Sequence, residues 1–125
     1  MYQIEFYRTK QGFSDVETFL DSLLLRSAKN KDARIQYKQV VQYIQFLADH
    51  GTRLGENITK HLDEDIWELR PGNNRVLFFY FRDNTFVLLH HFRKKTQKTP
   101  PREIEKAKNE RNDWLRRKEQ EENNG

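Results

Sequence analysis

Hydrophobic side chains recur at two different spacings along this chain, and the change separates a helical part from a block of strands. Residues 2–7 alternate polar and apolar side chains, which is typical of a short strand. Residues 14–27 and 33–49 carry apolar side chains three and four positions apart, which predicts two amphipathic helices. From residue 65 onward the spacing becomes two, so strands are expected to follow.

Local signals set the ends of the two predicted helices. Ser14 with Glu17 three positions later has the form of a capping box, and Gly51 suits the end of the second helix. Residues 51–64 read as a loop with room for one short extended piece. The predicted buried stripes are Val16, Phe19, Leu20, Leu23 and Leu24 in the first helix, and Ile35, Val40, Ile44 and Leu47 in the second.

Three strands are predicted next, over residues 65–70, 75–82 and 85–92. The sequence PGNN at 71–74 is a strong turn signal, and the Asp-Asn pair at 83–84 predicts a tight turn. The middle strand is apolar on both faces, which places it at the centre of the sheet. The three strands therefore form an antiparallel meander.

A last helix is expected after the meander. Thr99 is its predicted cap and Pro100 its first residue, while residues 119–125 read as a polar tail. Residues 1–118 are then a single α+β domain: an N-terminal strand, two helices, the meander, and a C-terminal helix packed on a twisted, mainly antiparallel sheet. The buried stripe of the last helix is predicted to be Ile104, Ala107, Trp114 and Leu115.

Composition narrows the class of protein. A chain of 125 residues has room for one compact core. No run reaches the roughly 18 apolar residues of a membrane helix, and the N-terminus lacks the apolar centre of a signal peptide. The chain has no cysteine, which excludes a disulfide framework and thiolate chemistry. A cytoplasmic protein without membrane contact is expected.

The net charge of +4 is unevenly distributed. Residues 1–92 hold 12 Lys or Arg and 12 Asp or Glu, whereas residues 93–118 hold 11 against 4. The positive field therefore lies in one segment, and a phosphate-rich partner is the first interpretation. A solvated basic helix face explains the same charge equally well.

Strand alternation predicts which polar side chains meet. Glu68 and Arg70 share one face of their strand, and Arg75 opens the next strand just beyond the turn. In the third strand His90 and Phe92 share a face, so His91 and Arg93 lie opposite. The predicted cationic cleft contains Lys60, Glu68, Arg70, Arg75, His90 and either Lys94 or Lys95, with Phe92, Arg93 and Lys98 close by.

One carboxylate cannot neutralise so many cations, and RNA fits such a cleft. Its phosphates accept arginine forks, and an aromatic ring offers a base a surface on which to stack. The chemistry available is metal-free transesterification, in which the ribose 2′-hydroxyl attacks the adjacent phosphate. A crowded lysine, His90 or Glu68 is a candidate proton carrier, and arginine suits the phosphorane.

Simpler interpretations stay open for these residues. Arg70 and Arg75 are also explained as ordinary edge charges of a sheet, and Glu68 is more simply a salt-bridge partner than a base. The two histidines lack metal-ligand spacing, so neither a zinc site nor a cofactor is expected. Phosphate-binding loops, dinucleotide-binding glycines and serine-nucleophile motifs are missing from the sequence.

Two stretches resemble the RelE/ParE toxin superfamily, in particular its HigB-like, phage-derived branch. They are IWELRPGNNRVLFFYF at 66–81 and FVLLHHFRKKTQKTPPREIEKA at 86–107. Typical features are Glu-Leu-Arg before a turn and a later arginine, then His-x-Phe-x-Lys-Lys-Thr and Thr-Pro. One departure is His91, where the branch is expected to carry a small residue such as glycine.

The resemblance implies a type II toxin with the microbial RNase-type RelE fold that cleaves mRNA on the ribosome. It assigns catalytic roles to Arg70, Arg75, Lys94 or Lys95, His90 and Glu68, and RNA contact to Lys60. It also implies a HigA-like helix-turn-helix antitoxin, through which alone the toxin would reach operator DNA. The alternatives are a ParE-type gyrase inhibitor and a protein that binds nucleic acid or a partner through its basic C-terminal helix.

Overall fold

Three helices and five strands make up the computed structural model, which describes residues 1–124. In chain order they are β1 (Gln3–Phe6), α1 (Asp15–Ser27), α2 (Lys31–His50), β2 (Thr59–Asp63), β3 (Ile66–Leu69), β4 (Asn74–Phe81), β5 (Thr85–Arg93) and α3 (Pro101–Asn124). The predicted α+β class and element order are confirmed. The short extended piece allowed within residues 51–64 is the full strand β2.

The five strands form one sheet in the order β1-β5-β4-β3-β2. Strands β2 to β5 are antiparallel neighbours, whereas β1 pairs with β5 in parallel. The predicted meander is therefore the centre of a larger, mixed sheet. Helices α1 and α2 cover one face of this sheet and α3 covers the other, which gives two hydrophobic cores.

The predicted helix boundaries are reproduced closely because the capping groups are present. The Ser14 hydroxyl accepts a hydrogen bond from the Glu17 backbone N–H at 3.1 Å. Gly51 ends α2 with φ of +64° and donates its N–H to the Leu47 carbonyl. Three members of the predicted buried stripes are wrong, since Leu24, Ile35 and Leu115 are 51%, 54% and 36% exposed.

An irregularity in β5 reorients the residues next to the candidate site. Leu77 pairs with His90, but the next residue, Phe78, pairs with Leu88, so Leu89 is an extra residue on β5. Such a bulge turns the following side chain. As a result Leu89 and His90 both face α3, although they are consecutive.

Helix α3 differs from its prediction at both ends. It begins at Pro101, and the Pro100 carbonyl accepts the first helical hydrogen bonds, so Thr99 is not the cap. The helix continues through the expected polar tail to Asn124, and Glu122 forms an ion pair with Arg82. Within residues 1–124, the helices lack the combination of length and apolar character needed to cross a membrane.

Candidate active site

A buried carboxylate lies between two arginines where β3 turns into β4. Glu68 is 2% exposed, and its Oε2 atom lies 3.4 Å from Arg70 Nε and 3.8 Å from Arg75 Nε. The register that pairs Leu69 with Val76 brings these side chains together. Alternation along β3 and the four-residue turn therefore predicted this part of the site.

Arg75 is held in place by the turn that it follows. One terminal guanidinium nitrogen donates to the carbonyls of Gly72 and Asn74 at 2.8 and 2.9 Å. Burial lowers the pKa of Arg75 from its usual value; the Glu68 carboxylate opposes this shift and the Arg70 charge adds to it. A guanidinium still keeps its proton in proteins, so Arg75 is a fixed positive charge.

Thr99 is a contact of Glu68 that the sequence interpretation missed. Its hydroxyl donates to Glu68 Oε1, while the two arginines approach the other carboxylate oxygen. This bond ties the loop of residues 94–100 to β3. The contact could not be predicted from the sequence, because Thr99 and Glu68 are 31 positions apart and a threonine before a helix is equally typical of a cap.

The loop beyond β5 brings further cations to the same place. A cavity beside Arg75 is lined by Lys94, Lys95 and Lys98, and none of its lining residues is acidic. We call Arg70, Arg75 and these three lysines the cation cluster. The cavity itself is only about 10 Å³, and the Lys95 and Lys98 side chains beside it are exposed.

The other predicted RNA contacts are divided between the two faces of the sheet. Lys60 is exposed on β2 and pairs directly across from Glu68, so both lie on one face. Phe92 pairs with Arg75 and lines the cavity. Arg93 lies on the opposite face, where it donates to the Gln36 side-chain oxygen at 3.0 Å.

His90 does not lie where the sequence interpretation expected. Its side chain is buried under α3, with Nδ1 2.5 Å from Glu110 and Nε2 3.0 Å from Glu103. Both ring nitrogens are occupied, so neither is left to exchange a proton with a substrate. Strand alternation correctly placed His90 on the same face as Phe92, but the docking of α3 over this face could not be read from it.

We expect His90→Ala to affect stability rather than RNA chemistry. The change leaves two largely buried carboxylates facing each other without a partner, which should lower the free energy of unfolding by about 3 kcal/mol. Denaturant unfolding measures this loss. The control is His61→Ala, an exposed residue of β2, with an expected loss below about 1 kcal/mol. A His90→Ala protein that was as stable as the wild type but had lost cleavage would contradict this expectation and indicate that His90 carries a proton in the reaction.

The cations of α3 are mostly neutralised within the fold. Lys108 bonds to Asp63 and Glu64, and Arg111 pairs with Glu64 and Asp65. Further along the helix, Arg116 and Arg117 share the Asp113 carboxylate. The positive field of the C-terminal segment is therefore concentrated at the start of the helix and in the preceding loop, next to Arg75.

The middle of α3 is fixed to the rest of the fold by a buried phenol. The Tyr7 hydroxyl donates to Asp113 at 2.7 Å, and burial together with this bond raises the pKa of Tyr7 to about 12. Tyr7 thus stays neutral under physiological conditions and acts as a hydrogen-bond donor. Among residues 1–124 there is no group of three His, Cys, Asp or Glu residues arranged to hold a metal ion.

Comparisons with known proteins identify a family for most of the chain. Residues 28–112 match the family described as phage derived protein Gp49-like (DUF891). No curated protein matches. A YoeB-YefM complex from Staphylococcus aureus is similar at 15% identity and a TM-score of 0.47, covering 77% of this chain and 99% of that chain. An archaeal RelE-RelB complex from Pyrococcus horikoshii OT3 matches at 15% and 0.48, covering 78% and 98%.

Proposed function

We propose that this chain, which belongs to the phage-derived Gp49-like family, is the toxin of a type II toxin–antitoxin system and cleaves mRNA on the ribosome. The observation that carries the proposal is the cation cluster, which adjoins one buried carboxylate and a cavity without acidic lining. Phosphates of RNA would neutralise these charges. The HigB-like motif at residues 66–107 supports the toxin class.

The reaction that we assign to the site is transesterification within the RNA strand. The 2′-oxygen forms a bond to the adjacent phosphorus as its proton passes to a base, and the bond from phosphorus to the 5′-oxygen breaks. The leaving oxygen takes up a proton. The products are a 2′,3′-cyclic phosphate and a 5′-hydroxyl, and no metal ion takes part.

The geometry supports a division of roles among the site residues. Arg75 has a fixed orientation and suits the negative charge that builds up on the phosphorane, with Arg70 beside it. Lys94 and Lys95 are the proposed proton carriers, because they line the opening where a substrate phosphate would enter. Both carboxylate oxygens of Glu68 already have partners, Thr99 on one and the two arginines on the other. We therefore propose that Glu68 orients the arginines and does not act as the base.

Partners follow from the same proposal. We propose a HigA-like helix-turn-helix antitoxin that blocks the toxin and carries it to operator DNA, and contacts with ribosomal RNA around the bound mRNA. A nucleic-acid-binding role for α3 is less well supported, because Lys108, Arg111, Arg116 and Arg117 already bond to carboxylates of the chain.

Brief induction followed by mapping of new mRNA 5′ ends tests the function. New ends at in-frame codon positions with the wild type, and none with Arg75→Ala, are the expected result. Growth arrest with DNA damage and intact mRNA would instead indicate that the protein inhibits gyrase. Arrest without either lesion would make the cation cluster a binding surface and contradict the proposal.

A further inference from the structure

A second polar groove lies on the other face of the sheet, between α1 and the end of the sheet where β4 begins and β5 ends. Its volume is about 500 Å³, which makes it larger than the cavity beside Arg75. We call it the α1 groove. One face of α1 lines the groove with residues three and four positions apart: Asp15, Thr18, Ser22 and Arg26. Thr18, Ser22 and Arg26 are exposed, so a ligand in the groove could reach them from solvent.

The α1 groove has an excess of positive charge. Arg93 is held by the side-chain oxygens of Gln36 and Asn74 at 3.0 and 3.4 Å, and neither is charged. In residues 1–124 the Arg26 side chain makes no ion pair. The single acid of the lining, Asp15, is already engaged by another residue. The two guanidinium groups are therefore available to an anion.

That acid fixes an aromatic pair at the floor of the groove. Asp15 accepts hydrogen bonds from the His91 backbone N–H at 2.8 Å and from its Nδ1 at 2.6 Å. Burial alone would raise the pKa of Asp15, but these bonds hold it below its usual value. The His91 ring stacks on Phe19 with centroids 3.8 Å apart, and its Nε2 has no partner among residues 1–124.

Arg93 lies between the α1 groove and the cation cluster. Arg93 lines both the groove and the cavity that contains Lys95 and Phe92. Asn74 joins the two faces from within the sheet: its backbone carbonyl accepts from Arg75, and its side chain accepts from Arg93. An RNA strand bound at the cluster could therefore extend past Arg93, around the end of β4 and β5, into the groove.

We propose that the α1 groove binds a nucleotide of the same single-stranded RNA whose scissile phosphate lies at the cation cluster. This inference rests on the proposed function. Arg26 and Arg93 bind backbone phosphate, and the ring pair with its free nitrogen meets the base or the ribose. His91 is thus an RNA contact in a position where the HigB-like branch is expected to carry a small residue.

The test measures binding of 2′-O-methyl RNA, which cannot undergo transesterification, by fluorescence anisotropy over a range of salt. A trinucleotide reaches only the cation cluster, whereas a dodecanucleotide also reaches the groove. We expect Arg26→Gln to weaken binding of the dodecanucleotide about tenfold. The slope of log affinity against log salt concentration should become shallower by about 0.7. Trinucleotide binding should stay unchanged. Ser22→Trp, at an exposed position of the lining, should weaken the dodecanucleotide by blocking the groove.

The matched control is Arg34→Gln, because Arg34 is exposed, donates to the Ser27 carbonyl at 2.9 Å and does not line the groove. It should bind both RNAs like the wild type. Equal affinity of Arg26→Gln and Arg34→Gln for the dodecanucleotide would overturn the proposal that the groove binds RNA. The groove would then be a candidate site for a protein partner. Cleavage by wild type that Arg75→Ala abolishes would then still stand, so the two proposals fail separately. A wild type that binds no RNA would overturn both.

Discussion

Arg75→Ala should reduce RNA cleavage by about 10²–10³-fold, the usual cost of removing one group that stabilises charge in a transition state. Arg75 is 6% exposed and is oriented by two backbone carbonyls, so its removal takes away a positive charge with a fixed position. Growth inhibition should disappear with cleavage. The measurement is the rate of mRNA cutting in a purified translation reaction, with the melting temperature recorded beside it.

The controls separate loss of chemistry from loss of fold. Arg82→Ala removes an exposed arginine just beyond the other end of β4, and cleavage should be unchanged. Arg75→Lys keeps the charge but loses the planar fork, so we expect a partial loss of rate. A folded Arg75→Ala protein that cuts at the wild-type rate would remove Arg75 from the reaction.

Glu68→Ala should lower the free energy of unfolding by about 3–5 kcal/mol, because it leaves two arginines together without their counter-charge. Glu68 is buried, and its side chain contacts Arg70, Arg75 and Thr99. Denaturant unfolding gives the value. The control is Glu64→Ala, which removes an exposed acid paired with Lys108 and Arg111, with an expected loss below about 1 kcal/mol.

The same variant tests whether the site accepts phosphate. A polyanion should raise the melting temperature of Glu68→Ala more than that of the wild type, because it replaces the missing charge. In a double-mutant cycle, Arg75→Ala should cost less in the Glu68→Ala background than alone. Additive losses would mean that the two residues do not interact, against the contact seen between them.

Local signals were sufficient for most of the fold. The helices are amphipathic and carry their own caps at Ser14 and Gly51, and positive φ angles at Asp83 and Asn84 fit the predicted tight turn. The parallel pairing of β1 with β5 was not predicted, because it joins residues about 80 positions apart. Nothing in a four-residue strand specifies which neighbour it will choose.

The residues of the candidate site likewise fall into those that local sequence signals predicted and those that they did not. Glu68, Arg70 and Arg75 lie within one hairpin, so alternation and turn length were enough to bring them together. The hydrogen-bond partners of His90 and Thr99 depend on how α3 and the loop before it dock on the sheet, which is a tertiary effect. The α1 groove could not be predicted at all, since His91 and its partner Asp15 are 76 positions apart.

One measurement tests the central claim most directly: analysis of the RNA ends produced on mRNA-programmed ribosomes by the wild type and by Arg75→Ala. We predict an upstream fragment with a 2′,3′-cyclic phosphate and a downstream fragment with a 5′-hydroxyl, formed by the wild type alone. A 2′-deoxy nucleotide at the cut position should prevent cleavage. Intact mRNA with the wild type, or cutting that persists with Arg75→Ala or with the 2′-deoxy substrate, would contradict a metal-free transesterification at the cation cluster.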